Sequence, residues 1–151
     1  MRARFKEYRF AIEDIAFSPD GRSLISPSDG ESVRIWNLRD GSSKDLSAIE
    51  RIKFFISVAF SPDGRYIAGG GFNGSLWIWD SRRYTLVAKW DTECVMCIEF
   101  FPDGKSLMSG SNDGTVKCWD MTLLETGSEP QTFSEIRTFT GHTVRLFLGL
   151  L

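Results

Sequence analysis

Apolar residues recur along the chain in three in-phase stretches. Counted from Phe17, Phe60 and Phe100, they stand two positions before (Ile15, Val58, Ile98), five before (Ile12, Phe55, Val95) and seven after (Leu24, Ile67, Leu107). Nineteen positions after each Phe comes a tryptophan, Trp36, Trp79 or Trp119, preceded at three and one positions by Val33 and Ile35, Leu76 and Ile78, or Val116 and Cys118. Strand side chains alternate between faces with period two, so each set reads as strands packed on at least one face. The odd interval between minus five and minus two breaks that alternation and predicts a β-bulge in the first strand of each repeat. Ser18-Pro19-Asp20-Gly21, Ser61-Pro62-Asp63-Gly64 and Phe101-Pro102-Asp103-Gly104 follow as tight turns: Pro presets its own φ, Asp bonds the local backbone and Gly supplies positive φ. A fourth strand is expected after each tryptophan, within Lys44 to Ile49, Tyr84 to Lys89 and Glu135 to Thr140. Residues 126–131 have turn composition and read as a surface insertion.

The Phe-to-Phe steps are 43 and 40 residues, and so are the Trp-to-Trp steps, so all length variation lies between repeats. A period of this size ending in Trp-Asp is the signature of a β-propeller blade. The expected fold is therefore all-β, with about three four-stranded antiparallel blades at 11–50, 51–91 and 92–141, the last carrying an insertion at 121–134. Residues 1–10 would hold the outer strand of a preceding blade, and 142–151 the truncated start of a next blade or a non-native tail. Propellers close with about four to eight blades, so three form an open array rather than a closed ring. An open array leaves the apolar faces of its end blades uncovered. Either the chain is a piece of a larger propeller or it assembles with other chains; the piece is favoured, because the apolar tail Val144 to Leu151 stops before a next Pro-Asp-Gly turn.

Composition narrows the function. Apolar content is 42%, aromatic 13% and charged 25%, which fits a folded β protein. No apolar stretch approaches the about 20 residues of a membrane helix, and the basic start Met1 to Arg9 lacks the apolar core of a secretion signal. A net charge of −2 argues against direct nucleic-acid binding, which relies on clustered Lys and Arg. Three cysteines without a secretion signal suggest a reducing compartment. Cys94 and Cys97 have the spacing of a zinc or redox pair, but only Cys118 and His142 remain to complete a four-ligand site. The equivalent positions hold Ala11 and Asp14, then Phe54 and Ser57, so packed or edge residues are expected, with no metal and no cofactor. His142, the only histidine, has no nucleophile partner at a recognisable spacing. Gly69-Gly70-Gly71 falls in a predicted second strand and is not followed by a phosphate-loop Lys or helix. No catalytic residues are expected, and the chain does not read as an enzyme.

The Phe-Ser-Pro-Asp-Gly turns, the phrase Asn112-Asp113-Gly114-Thr115-Val116-Lys117-Cys118-Trp119-Asp120, and Gly141-His142 resemble the WD-repeat family. In that family a hydrogen-bond network pins each blade, joining a His before the first strand, a Ser or Thr in the second, an Asp in the following turn, and the Trp. The resemblance carries this network over only in part: Ser26 and Trp36 in the first blade, Asn73 and Trp79 in the second, and Ser109, Asp113 and Trp119 in the third. Tyr8, Arg51 and Asp91 stand where the His belongs, and His142 would open a following blade. The phrases Val33-Arg34-Ile35-Trp36 and Ile78-Trp79-Asp80-Ser81, and Ile136 to His142 after the insertion, are closest in likeness to fungal Tup-type general transcriptional corepressors, relatives of the Groucho corepressors. This likeness implies a nuclear, or otherwise cytoplasmic, platform that docks DNA-bound repressors or histone tails without touching DNA or membrane. Other WD-repeat adaptors, such as ubiquitin-ligase substrate receptors or signalling scaffolds, and a truncated product without independent function, are the alternatives.

Family geometry also implies where a partner protein or peptide sits. The residues before and at the bulge, and the one preceding the turn Asp, ring the narrow top face. Here they are Ala11, Glu13 and Asp29 in the first blade, Phe54, Ile56 and Phe72 in the second, and Cys94, Met96 and Asn112 in the third. An apolar centre with an acidic edge suits peptide docking, since aromatic and Met anchors are enriched at interface cores. The competing reading packs Phe54 and Ile56 under loops. The remaining blades of a larger propeller are the other implied partner.

Overall fold

The computed structural model of the protein describes residues 12–28, 32–46, 55–72, 74–122, 124 and 135–141. They form β1 (Ala16–Phe17), β2 (Ser23–Ser28), β3 (Ser32–Asn37), β4 (Ser43–Leu46), β5 (Phe55–Phe60), β6 (Tyr66–Gly71), β7 (Ser75–Asp80), β8 (Thr85–Asp91), β9 (Val95–Phe100), β10 (Ser106–Ser111), β11 (Val116–Asp120) and β12 (Glu135–Phe139). No α-helix occurs among the described residues. Each successive group of four strands makes one antiparallel sheet in chain order, β1 to β4, β5 to β8 and β9 to β12. One repeat therefore closes one sheet, which is the open propeller fragment that the periodicity predicts. The strand expected at residues 4–9 lies outside the described residues.

Local chemistry explains the turns. Gly21, Gly64 and Gly104 adopt φ of 66°, 71° and 69°, the left-handed region that a side chain would strain. Asp20, Asp63 and Asp103 accept the backbone N–H two residues on, at 3.0, 3.0 and 2.9 Å. The Ser18 and Ser61 hydroxyls donate to the same carboxylates at 2.6 Å. Phe101 replaces that serine in the third repeat and is left half exposed.

The bulges form where two blades meet. Phe55 pairs with Gly71 and Ser57 with Gly70, which leaves Ile56 as the extra residue. Val95 pairs with Ser111 and Cys97 with Gly110, which leaves Met96. The first repeat departs from the expectation: its first strand is only Ala16–Phe17, and residues 12–15 are not paired into a strand. Ile12, Ile15 and Phe17 are 47%, 51% and 61% exposed, whereas their counterparts Phe55, Val58, Val95, Ile98 and Phe100 are buried against the preceding blade. Among the described residues no apolar side chain covers this face.

Two apolar layers hold the three sheets together. Ile25, Val33, Ile35 and Leu46 of the first meet Phe55, Val58, Ile67, Trp77 and Trp79 of the second. Ala59, Ala68, Leu76, Ile78 and Trp90 of the second meet Val95, Ile98, Phe100, Leu107 and Trp119 of the third. Gly69 and Gly70 serve this packing. A Cβ on Gly69 would lie 3.0 Å from the Trp79 ring and 3.1 Å from Val33, and one on Gly70 only 2.7 Å from Val95. The glycine run marks where two neighbouring blades press into the middle sheet, a close approach that only a missing side chain permits.

A polar thread crosses the same layers. Asp14 accepts the Ser57 hydroxyl at 2.9 Å and the Val58 N–H at 3.0 Å. Ser57 in turn accepts the Ile98 N–H at 3.1 Å. Asp14 and Ser57 both stand three positions before their anchor Phe, and each receives the N–H two positions before the next anchor. The repeat thus reuses one hydrogen bond to set the height of each blade against the next.

Candidate functional site

The strand order places the bulges, the β6–β7 and β10–β11 turns and the β8–β9 connection at one end of the sheets. Phe55 faces Gly71 across β5 and β6, and Ser75 faces Asp91 across β7 and β8, so all four mark that end. The Thr92 N–H donates to the Gly74 carbonyl at 2.7 Å, tying the β8–β9 connection to the β6–β7 turn. Gly74 has φ of 70°, and a Cβ there would lie 2.6 Å from the Thr92 oxygen, so only glycine allows this seam. Lys117 Nζ reaches Thr92 Oγ1 at 3.2 Å and Glu135 at 3.7 Å, which extends the seam into the third blade.

The predicted ring is distributed along this end. Phe72 is 60% exposed in the β6–β7 turn. Ile56 and Met96 are half buried at the two bulges, and Cys94 is half buried just before β9. Asn112 is exposed in the β10–β11 turn and Glu13 exposed before β1. Ala11, Asp29 and Phe54 lie outside the described residues. Cys94 and Met96 touch, sulfur to sulfur, at 3.6 Å. Burial, and then the charge of Asp113, raise the Cys94 thiol above its ordinary value. A thiol held protonated this way is a poor nucleophile and a poor metal ligand. Among the described residues no cluster of three His, Cys, Asp or Glu side chains could hold a metal ion.

The tryptophan network exists in the two blades that retain its serine. Trp36 Nε1 donates to Ser26 Oγ at 2.9 Å, and Trp119 Nε1 to Ser109 Oγ at 2.8 Å, both buried. In the second blade Gly69 stands at that position and contributes packing room for the Trp79 ring instead of a hydroxyl. Asp113 turns inward on its own loop, accepting the Thr115 N–H at 2.8 Å and hydroxyl at 2.7 Å. The Thr115 hydroxyl is the leading cause that holds Asp113 below the usual carboxylate range. Asn73 and His142 lie outside the described residues.

Sequence reasoning missed two features. One is the Asp14–Ser57–Ile98 thread, visible in retrospect as polar residues at the same offset in two repeats. The other is a recess of about 420 Å³ at the opposite end, between the second and third Pro-Asp-Gly turns. Pro62, Asp63, Tyr66, Pro102, Lys105 and Thr122 line it. It is a gap between stacked turns whose carboxylates are already engaged, Asp63 by the Ser61 hydroxyl and the Arg65 N–H and Asp103 by the Lys105 N–H. Arg82 and Arg83 sit exposed at this same end, their N–H groups donated to Asp80.

The WD domain, G-beta repeat family model matches residues 2–37, 53–80 and 82–120, each match ending at the third strand of a sheet and the third beginning with β8 of the sheet before it. No curated protein matches the chain in sequence. Two solved structures are similar in fold: U3-55K, with a TM-score of 0.78 at 20% identity, and the RRP9 WD40 repeats, also 0.78 at 20%. Each likeness covers 92% of this chain but only 42% and 41% of theirs, so the chain spans about two fifths of those proteins. At that identity the likeness bears on fold alone. No helix among the described residues is long and apolar enough to cross a membrane.

Proposed function

Because the chain belongs to the WD-repeat family, whose domains generally act as non-enzymatic scaffolds that bind proteins and peptides, we propose that its bulge-bearing end is a protein-docking surface of a transcriptional corepressor-like platform. The reading rests on one observation: Phe72 stands 60% exposed beside the bulges, at the end where Ile56, Cys94 and Met96 gather. An exposed aromatic at the same end as half-buried Ile56, Cys94 and Met96 gives a peptide an apolar anchor, and Glu13 and Glu93 supply exposed carboxylates there. A basic, apolar-anchored segment fits that pattern, which is the chemistry of a histone tail or of a short repressor motif. The corepressor role and a nuclear location follow from the Tup-type phrases, and the likeness to U3-55K and RRP9 does not bear on them.

The test pairs affinity with stability. Removal of a desolvated anchor commonly costs about 2 kcal/mol, or roughly 30-fold in affinity. Phe72→Ala and Met96→Ala are expected to weaken binding of a histone-tail or repressor-derived peptide by about that factor, with little change in melting temperature for Phe72→Ala. Arg82→Ala and Arg83→Ala, at the other end, are controls that leave affinity unchanged. Peptide affinity unaltered by both anchor variants overturns the reading.

A further inference from the structure

Five arginines stand at the end of the sheets opposite the bulges, and four of them recur in phase. Counted from Phe17 and Phe60, arginine occupies position plus 5 (Arg22, Arg65) and position plus 22 (Arg39, Arg82) of the first two repeats, and Arg83 follows. The third repeat has Lys105 and Thr122 there. Within a blade the two positions lie on neighbouring hairpins: the Leu38 N–H donates to the Arg22 carbonyl and the Ser81 N–H to the Arg65 carbonyl, each at 2.9 Å. Between the two blades the turns stack, since a Cβ on Gly64 would lie 3.5 Å from Pro19. Sheets packed face to face lie about 10 Å apart, so one arginine pair is about three extended residues from the next. The carboxylates among these arginines are committed to their own turns. Asp20 and Asp63 accept a serine hydroxyl and a backbone N–H, Asp40 the N–H and hydroxyl of Ser42, and Asp80 the N–H groups of Arg82 and Arg83. Arg22, Arg39 and Arg82 are exposed and make no ion pair among the described residues. Arg83, with its side chain 80% exposed, meets Asp80 only at 3.4 Å.

We propose that this end of the first two blades docks a protein segment phosphorylated on serine or threonine at two positions about three residues apart. Hydrogen-bonded turns fix the backbone of each arginine, while the guanidinium forks keep their N–H donors for an acceptor that arrives from solvent. A phosphate brings a charge of about −1.5 to −2 and three acceptor oxygens, and guanidinium groups grip it bidentately. A carboxylate offers these arginines nothing that the adjacent aspartates do not already offer, so the doubly charged group is the one that engages them. A nucleic-acid backbone fits less well, because its evenly spaced phosphates would meet Asp20, Asp40, Asp63 and Asp80 between the arginines. A peptide with two phosphates separated by neutral residues can place each on one arginine pair and pass the aspartates uncharged. The surface lies on hairpin ends rather than on sheet faces, and it does not depend on the docking surface at the bulge-bearing end.

Fluorescence anisotropy of the 151-residue chain with a labelled Gly-Ser peptide carrying two phosphoserines about three residues apart tests it. The peptide is expected to bind at least about tenfold more tightly than its unphosphorylated form or a form with Asp at both phosphoserines, and to weaken as salt rises. Arg22→Gln with Arg39→Gln, and separately Arg82→Gln with Arg83→Gln, should each weaken binding by about 5- to 30-fold, since one exposed charge pair contributes up to about fivefold. Lys105→Gln, which removes a charge from the third turn instead, leaves affinity unchanged. Circular dichroism of each variant checks that the strands are retained. Absence of binding at about 1 mM peptide overturns the proposal, as do equal affinity for the Asp form and arginine variants that bind no more weakly than Lys105→Gln. A single-stranded oligodeoxynucleotide bound as tightly as the phosphopeptide would mark a general polyanion surface and overturns the assignment to a phosphorylated protein.

Discussion

Removing one hydroxyl, that of Ser57, should loosen both junctions of the middle blade at once. Ser57 is 5% exposed, donates to Asp14 at 2.9 Å and accepts the Ile98 N–H at 3.1 Å. Ser57→Ala leaves the buried Ile98 N–H without its acceptor, a loss of about 1–3 kcal/mol. Asp14 is half exposed and keeps the Val58 N–H, so water repairs much of that side, and about 0.5 kcal/mol is added. The sum is about 1.5–3.5 kcal/mol. For a chain of this length each kcal/mol moves the midpoint by about 2–4 °C, so a fall of about 3–14 °C is expected in thermal melts followed by circular dichroism. Ser57→Cys, which copies the third repeat, should fall between the two. A cycle with Asp14→Ala should show coupling of at least about 0.5 kcal/mol, because the residues share a hydrogen bond. The reasoning is refuted if Ser57→Ala shifts the midpoint no more than Ser42→Ala, whose hydroxyl serves only a surface turn.

Gly70→Ala should destabilise by about 1–3 kcal/mol through overpacking, since its Cβ would lie 2.7 Å from Val95; a urea midpoint equal to wild type refutes the close-approach account. Ser26→Ala and Ser109→Ala each strip a buried tryptophan of its acceptor and should cost about 1–3 kcal/mol, read as lower urea midpoints. Acid should weaken the fold from one side only. Hydroxyl and N–H donors hold Asp20, Asp40, Asp113 and Asp120 below the usual carboxylate range. A lowered folded value contributes stability that is present above the unfolded value of about 3.9 and is lost as pH falls through the folded values. Melting temperature should be nearly level from pH 7 to 5 and fall below about pH 4, and a level profile down to pH 2.5 would count against these turns.

Contacts between residues a few positions apart were readable from the chain, and contacts between repeats were not. The constant Phe-to-Trp offset set the register, and the odd minus five to minus two interval located the bulges at Ile56 and Met96. Both depend on alternation within one strand or hairpin. The bulge failed to appear before β1 because strand pairing there needs an apolar neighbour that sequence periodicity does not report. Ser57 looked like any strand serine, since its partners Asp14 and Ile98 lie 43 and 41 residues away. The glycines of β6 carry no phosphate-loop signal, and their purpose lies in contacts with Val33, Phe55 and Val95 that no short-range pattern encodes. At the bulge-bearing end, Phe72 is conspicuous in sequence as an aromatic in a turn, whereas the seam of Gly74 and Thr92 has no pattern to reveal it.

The closing of every backbone ladder within a single repeat has a consequence for lineage. A stretch of DNA encoding residues 51–91 could be duplicated or lost without severing one strand pair, because no ladder crosses from sheet to sheet. What must match at the new seam is a set of apolar contacts, one side-chain acceptor and a carbonyl to take the Thr92 N–H that Gly74 now accepts. Deleting that stretch would bring Ile25 and Val33 against Val95 and Ile98, and would offer Asp14 to the Ile98 N–H in place of Ser57. Copy number in such a chain can therefore drift by whole units while each unit's interior remains under separate selection.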